Sequence, residues 1–306
     1  MVAKCLVCNS NNVKIWSRVR DEEYQTLELK IHEYFICEIC NVISIFPTLE
    51  QKLNEIYPSN YYSFNSDGYN FLFKIKFALD TRFFKKLRQY LPLDSVKMLD
   101  IGGGIGKLSS LAVNAFSDLK VDSTIIDLDD SAGKRANSQG HKYIKGAFED
   151  THLNSNYDLI LAYNIIEHVP DPNAFLTKIY NSLELGGICV IQTPNYNSLD
   201  ARLFKNSYWG GLHAPRHFVL FDERSLITAV DRAGLSLLEQ KKIPGGPFWS
   251  YSILGSINAS LKRNPGKALY TAFGYTALTG IFTAVDFIRG LFMQTSQQLI
   301  VCQRRD

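Results

Sequence analysis

The stretch Val96-Lys-Met-Leu-Asp-Ile-Gly-Gly-Gly-Ile-Gly106 decides how this chain is read. An apolar strand runs into Asp100 and then into glycines at 102, 103, 104 and 106. Glycine carries no Cβ and tolerates left-handed backbone, so such a turn lets main chain approach a ligand closely. Three loop types compete for the pattern. A P-loop needs G-x-x-x-x-G-K-[ST]. Here Ile101 stands where the first glycine belongs, and Leu108 follows Lys107. A dinucleotide fingerprint needs G-x-G-x-x-G. Read from Gly102 its last position is Lys107, and read from Gly104 it is Ser109. The pattern that fits is hh-D-h-G-x-G-x-G.

Further landmarks follow in chain order. Strand Val121–Ile126 ends in Asp127, 27 residues after Asp100, where an acid can pair with a ribose diol. Then come Tyr143-Ile-Lys-Gly-Ala-Phe-Glu-Asp150, Tyr157-Asp-Leu-Ile-Leu-Ala-Tyr-Asn-Ile-Ile-Glu-His-Val-Pro-Asp-Pro172 and Leu185-Gly-Gly-Ile-Cys-Val-Ile-Gln-Thr-Pro-Asn195. Together these motifs resemble the class I S-adenosylmethionine (SAM) methyltransferases. The resemblance implies an α/β, Rossmann-like seven-stranded sheet whose last strand is antiparallel. It implies SAM as cofactor, held by Asp100, Gly102, Gly104, Gly106, Asp127, Glu149 and Asn164. Asp100 would supply negative charge near the cationic end of SAM. The family often has Asp right after the glycine at 146, where this chain has Ala147. Glu149, Asp150 or a backbone N–H would then read the adenine.

Four of the six cysteines fall as Cys5-Leu-Val-Cys8 and Cys37-Glu-Ile-Cys40, with 28 residues between the pairs. This is zinc-ribbon spacing: two tight turns, each aiming two thiolates at one ion, complete a tetrahedron. A structural Zn²⁺ on Cys5, Cys8, Cys37 and Cys40 is expected. His32 lies between the pairs and reads as an exposed strand residue. Cys189 and Cys302 sit in apolar strands and read as core filling. The following Tyr57-Pro-Ser-Asn-Tyr-Tyr-Ser63 resembles the linker of bacterial methyltransferases that carry an N-terminal zinc-binding module, several of which act on sugars.

The 306 residues allow one large domain or two, with an ordinary globular composition of 46% apolar and 21% charged residues. A net charge of +3 is too small to argue for nucleic acid. Met1–Lys4 leads straight into Cys5, so a cytoplasmic location is expected, with contact at the inner membrane face left open. The expected organisation is a zinc module at 1–45 and a linker with a helix at 46–91. The SAM-binding core follows at 92–244, a helical insertion at 245–295 and the final strand at 296–306. In the helix at 69–91, Phe71, Ile75, Leu79, Phe83 and Leu87 recur at i+4 and predict its core face. The insertion holds two apolar stretches, Phe248–Leu261 and Ala268–Val285, joined by Lys262-Arg-Asn-Pro-Gly-Lys267. Both ends must return to one sheet, so a helical lid or partner-contact surface is favoured over a membrane contact.

Methyl transfer from a sulfonium is an in-line displacement, and a hydroxyl acceptor must also lose a proton. Histidine is suited to taking it near neutral pH. His168 follows Glu167 after the fourth core strand. His213 and His217 lie in Tyr208-Trp-Gly-Gly-Leu-His-Ala-Pro-Arg-His-Phe-Val-Leu-Phe221, which resembles the family's acceptor wall. His213 is the first choice for the base, and Arg216 is expected to bind substrate. Glu167 with His168 could instead hold a divalent ion. The expected reaction is O-methylation of a small polar acceptor: a sugar, nucleotide-sugar or lipid-linked glycan. C-methylation of a keto-sugar and a nucleic-acid-directed activity through the ribbon are the alternatives.

Overall fold

The computed structural model describes residues 3–21, 30–49, 53–56, 71–92, 94–260 and 274–305. The linker motif 57–63, the segment 26–29 and the basic link 262–267 lie outside the described residues.

The N-terminal module consists of β1 (Val13–Val19), β2 (His32–Cys37) and β3 (Ile43–Phe46), paired antiparallel in that order. A short helix, α1 (Leu53–Ile56), follows. The module does not close on itself. Its fourth strand is β9 (Val219–Leu220), contributed by the stretch that carries the candidate histidines. The sequence boundary at residue 45 therefore hides a shared sheet.

The core sheet is built from β4 (Ser95–Ile101), β5 (Lys120–Asp127), β6 (Lys142–Lys145), β7 (Tyr157–Tyr163), β8 (Leu183–Pro194), β10 (Leu235–Ile243) and β11 (Gln297–Arg304). Their spatial order is β10-β11-β8-β7-β4-β5-β6. Only β11 runs antiparallel to its neighbours, as expected for the last strand. Side chains alternate between the faces of a strand. Met98, Leu159, Leu161 and Val190 pack on one face with Phe84 and Leu87 of α2 (Phe71–Leu87) and Leu111 of α3 (Lys107–Ala115). Leu99, Ile160, Ala162 and Ile191 pack on the other, with Phe175 and Ile179 of α5 (Pro172–Ser182) and Leu226 of α7 (Glu223–Arg232). Helix α4 (Asp130–Ser138) joins β5 to β6. Asp171 and Asp222 cap α5 and α7 through their side chains. In α2 the i+4 stripe is only partly right: Leu87 is buried and Phe83 half-buried, whereas Leu79 is exposed and the buried Phe84 lies outside the stripe. Helical phase drifts by 40° per four residues, so a long i+4 stripe cannot stay on one face.

After α6 (Leu199–Phe204) and β10, the insertion forms two helices, α8 (Gly246–Ser260) and α9 (Tyr275–Arg289). They approach closely because Gly246 has no Cβ; one there would fall 2.3 Å from the Thr279 carbonyl oxygen. Trp249 stacks on Phe282 at 4.7 Å between ring centroids. Among the described residues no helix is long and apolar enough to cross a membrane. Asp286 of α9 is completely buried and ties the helices to the sheet. It accepts from Gly245 N at 3.0 Å, Trp249 Nε1 at 3.2 Å, Ser296 Oγ at 2.9 Å and Arg289 Nη1 at 2.6 Å. Its removal strands four donors, one of them charged. Asp286→Ala should cost about 3 kcal/mol or more, read as a lower urea midpoint than that of surface Asp231→Ala.

Candidate active site

The glycine turn and the end of β5 meet at the carboxyl edge of the sheet, where ligands of open α/β sheets bind. Gly102, Gly104 and Gly106 have φ of +70°, +53° and +84°, so their backbone is left-handed. Gly102 and Gly104 differ in what surrounds them. A Cβ on Gly102 would meet Ile165 at 2.1 Å, so this glycine is needed for packing. A Cβ on Gly104 would meet nothing nearer than the Asp127 carboxylate at 3.9 Å, so this one faces open space. Gly104 N donates to Asp127 Oδ2 at 2.8 Å, and Asp129 N donates to Oδ1 at 2.9 Å. Burial, ahead of every other cause, raises the Asp127 pKa. An acceptor carboxylate beside exposed glycine backbone fits a ribose and an amino-acid moiety, as SAM requires.

Asp100 takes a different part from the one expected. Its side chain is buried under the turn: Ser109 Oγ donates to it at 2.5 Å, and a Cβ on Gly103 would touch Oδ2 at 2.6 Å. Burial pushes its pKa up to about 7. It holds the loop onto α3 and would act on a ligand only through that loop. Asn164, with φ +55°, sits at the end of β7 and accepts from Gln297 Nε2 at 3.4 Å. Gln192 Nε2 in turn donates to Gln297 at 3.1 Å. Glu149 lies on the exposed turn after β6, where Lys178 Nζ donates to its carbonyl at 2.8 Å.

The three candidate histidines come together. Ring centroids of His168 and His217 are 4.5 Å apart, His213 and His217 5.2 Å, and His168 and His213 6.3 Å. His168 Nδ1 lies 3.2 Å from the Arg216 carbonyl and His217 Nδ1 2.9 Å from the Gly211 carbonyl. A carbonyl only accepts, so both rings carry their proton on Nδ1 and turn Nε2 toward the cluster. Burial first, then the neighbouring imidazoles, lowers the His217 pKa far below the ordinary value; His168 falls to about 3, with burial again first and His213 second. Both stay neutral at working pH. His213 alone of the loop 211–220 is partly open to solvent, and its φ of +43° costs a non-glycine residue roughly 1–3 kcal/mol. Glu167 is fully buried. Thr193 Oγ1 donates to its Oε2 at 2.9 Å, and Oε1 has no hydrogen-bond partner among the described residues. Burial lifts its pKa to about 8, so the carboxyl is protonated at neutral pH.

Arg216 does not reach an acceptor. Its side chain has no exposed surface and forms an ion pair with buried Asp21, Nη2 to Oδ2 at 2.8 Å. Asp21 escaped sequence reasoning because no local motif marks it and 195 residues separate the partners. Tyr34 of β2 likewise donates to the His217 carbonyl at 3.0 Å. His32, expected to be exposed, is buried close to this pair, and burial lowers its pKa to about 4.

All six cysteines are free thiols. The sulfurs of Cys5, Cys8, Cys37 and Cys40 lie within 4.8 Å of one another, with Cys5–Cys40 at 3.5 Å and Cys8–Cys37 at 3.4 Å. Tetrahedral Zn–S bonds of ~2.3 Å put sulfurs about 3.8 Å apart, so the cluster has the right size for such an ion. Val7 N and Ile39 N each donate to a sulfur at 3.4 Å, and the Cys40 thiol beside Cys5 lowers the Cys5 pKa to about 5. The same contact raises the Cys40 pKa and burial raises that of Cys8, so it is the two backbone donors that favour thiolate sulfur here. Cys189 and Cys302 are buried opposite each other on β8 and β11.

Comparison with known proteins agrees with this geometry. A family model described as a methyltransferase domain matches residues 64–240. The ubiquinone biosynthesis O-methyltransferase of Nitrobacter winogradskyi is 30% identical over 196 residues, which cover 58% of this chain and 72% of that protein. Its namesake from a Bradyrhizobium species is 28% identical, over 58% of this chain and 74% of the relative. A solved coclaurine N-methyltransferase, bound to N-methylheliamine and SAH, superposes with a TM-score of 0.51 at 14% identity, covering 81% of this chain and 79% of that one. That last likeness concerns the fold alone. The chain belongs to the methyltransferase-domain family and is a class I SAM-dependent methyltransferase. Asp127→Ala should weaken S-adenosylhomocysteine about 10- to 100-fold, the worth of hydrogen bonds to a charged group. Isothermal titration measures it, and Asp231→Ala serves as the surface comparison.

Proposed function

We propose that the protein is an O-methyltransferase, with His213 as the base that takes the acceptor's proton. The observation carrying this reading is the histidine cluster: buried His217 and half-buried His168 held neutral, and beside them His213, strained and partly exposed. SAM supplies the methyl group as a sulfonium. With SAM bound, attack of the acceptor oxygen on that methyl would break the carbon–sulfur bond, and His213 would take the hydroxyl proton. His168 and His217 add no charge of their own, so His213 can accept the proton without facing a second imidazolium.

The acceptor class favoured is a ring hydroxyl of the kind handled in quinone biosynthesis. The named relatives support it, and so does acidity. A phenol ionises near pH ~10, whereas an alkyl hydroxyl resembles water at ~15.7 and is far harder for imidazole to deprotonate. The sugar, nucleotide-sugar and glycan acceptors expected from sequence have no counterpart among those relatives. His213→Ala should lower kcat by about 10²–10⁴ while leaving S-adenosylhomocysteine affinity unchanged. Equal turnover in the variant would remove His213 as the base. One observation favours a second reading, a divalent cation at Glu167, His168 and His217. Their ligand atoms lie within 4.8 Å of one another, and Glu167 Oε1 is buried without a partner. Activity lost to a chelator and restored by Mg²⁺ would support the cation; activity indifferent to both supports the base alone.

The four-cysteine cluster reads as a structural zinc site that shapes the acceptor wall, and free thiols throughout suit a reducing cytoplasm. The purified protein should contain one zinc per chain by elemental analysis. Cys8→Ser should lose the metal and melt at lower temperature, because the short strands β1–β3 have little core of their own. The 1–45 module is read as support for the acceptor loop, and a nucleic-acid role is not favoured.

A further inference from the structure

The end of α9 presents an apolar knob to solvent. Leu291 and Phe292 are 70% and 83% exposed, and Phe287, Ile288 and Met293 beside them are also open. These residues do not reach over the histidine cluster as a closed lid would require; they point into water. Behind the knob lies a cleft of about 290 Å³ whose walls include Arg202, Lys242, Arg289, Phe292, Met293 and Gln294. Among the described residues no carboxylate lines it. Arg289 is neutralised from behind by buried Asp286. Arg202 donates to Asn197 Oδ1 at 2.7 Å and Lys242 to the Gly290 carbonyl at 3.1 Å. Among the described residues neither of these two makes an ion pair with a carboxylate. Glu223 accepts from Gln294.

The combination is specific: bulky apolar tips in front, and unneutralised cations on stems around a cleft just behind them. That is the layered arrangement of a surface that sinks its apolar part among acyl chains while Lys and Arg meet headgroup phosphates. A second copy of this face would bring Arg202 and Lys242 against their own counterparts, and like charges oppose such pairing. The position matters too. Gln294 accepts from Asn195, in the segment that follows β8, and β11 begins three residues later. The knob therefore sits at the sheet edge that carries the glycine turn and the acceptor wall. We propose that this end of the molecule docks on an anionic phospholipid surface, which brings the acceptor edge toward the lipid. The proposal is independent of which atom is methylated.

The test is co-sedimentation of the full chain with vesicles of phosphatidylglycerol mixed with phosphatidylcholine, and with phosphatidylcholine alone. The wild type should pellet with the anionic vesicles, and less so in high salt. Leu291→Asp with Phe292→Asp should lower partitioning at least about tenfold, because burying either side chain is worth more than one factor of ten. Arg202→Glu with Lys242→Glu should abolish the preference for anionic over neutral vesicles. Unchanged S-adenosylhomocysteine binding verifies that the variants are folded. Wild type remaining in the supernatant, or charge and knob variants pelleting like wild type, would overturn the proposal. So would a lipid-free dimer, seen by sedimentation velocity, that the knob variant converts to monomer. Inorganic phosphate that displaced the protein from neither vesicle would agree with a bilayer requirement, and saturable phosphate binding that left vesicle binding absent would count against it.

Discussion

Arginine stays charged at any pH a protein meets, yet Arg216 has no surface in contact with water. A buried guanidinium is tolerated only beside a carboxylate held in matching geometry. Asp21 provides it, from the stretch just beyond β1. The pair sits in the turn between His213 and β9, and β9 completes the sheet that β1, β2 and β3 begin. One ionic contact and one strand pairing thus fasten the cysteine module to the loop that carries the histidines. Tyr34 on the His217 carbonyl and Tyr196 on the Asn41 carbonyl, at 2.5 Å, repeat the connection.

That attachment explains why the histidines can be neutral and strained at once. An imidazole in water would titrate near pH ~6.5. His217 is instead buried and His168 half-buried, with each Nδ1 engaged by a carbonyl of the same loop. A left-handed backbone at His213 persists because the loop on either side is anchored. The chemistry of the site is therefore a product of packing between segments far apart in the chain, and the module that supplies the anchor carries the cluster of four cysteines.

Much of the core was legible because its determinants are local. The frame of glycines at 102, 104 and 106 could be tested position by position, and all three adopt the left-handed backbone that such a turn demands. Helix starts are local too: Asp171 and Asp222 cap α5 and α7 through their own side chains. Asp127 was found by its place at a strand end. Other residues misled for an equally physical reason. Arg216 and His32 are polar types that usually lie at surfaces, so sequence assigned them to solvent or substrate. Asp100 looked like a ligand charge, although its neighbours Ser109 and Gly103 enclose it. Nothing near Asp286 announces that it will meet Gly245, Trp249 and Ser296.

By itself the sequence determined the class of fold, the left-handed glycine turn and the grouping of four cysteines, because each depends on spacing along a few dozen residues. Tertiary structure alone decided that the cysteine module borrows a strand from the core, that Arg216 is consumed by Asp21, and that three histidines share one corner. The reason is that a buried charge or a missing sheet edge is satisfied by whichever group arrives in space. Between Asp21 and Arg216 that group lies 195 residues away, beyond the reach of any local pattern.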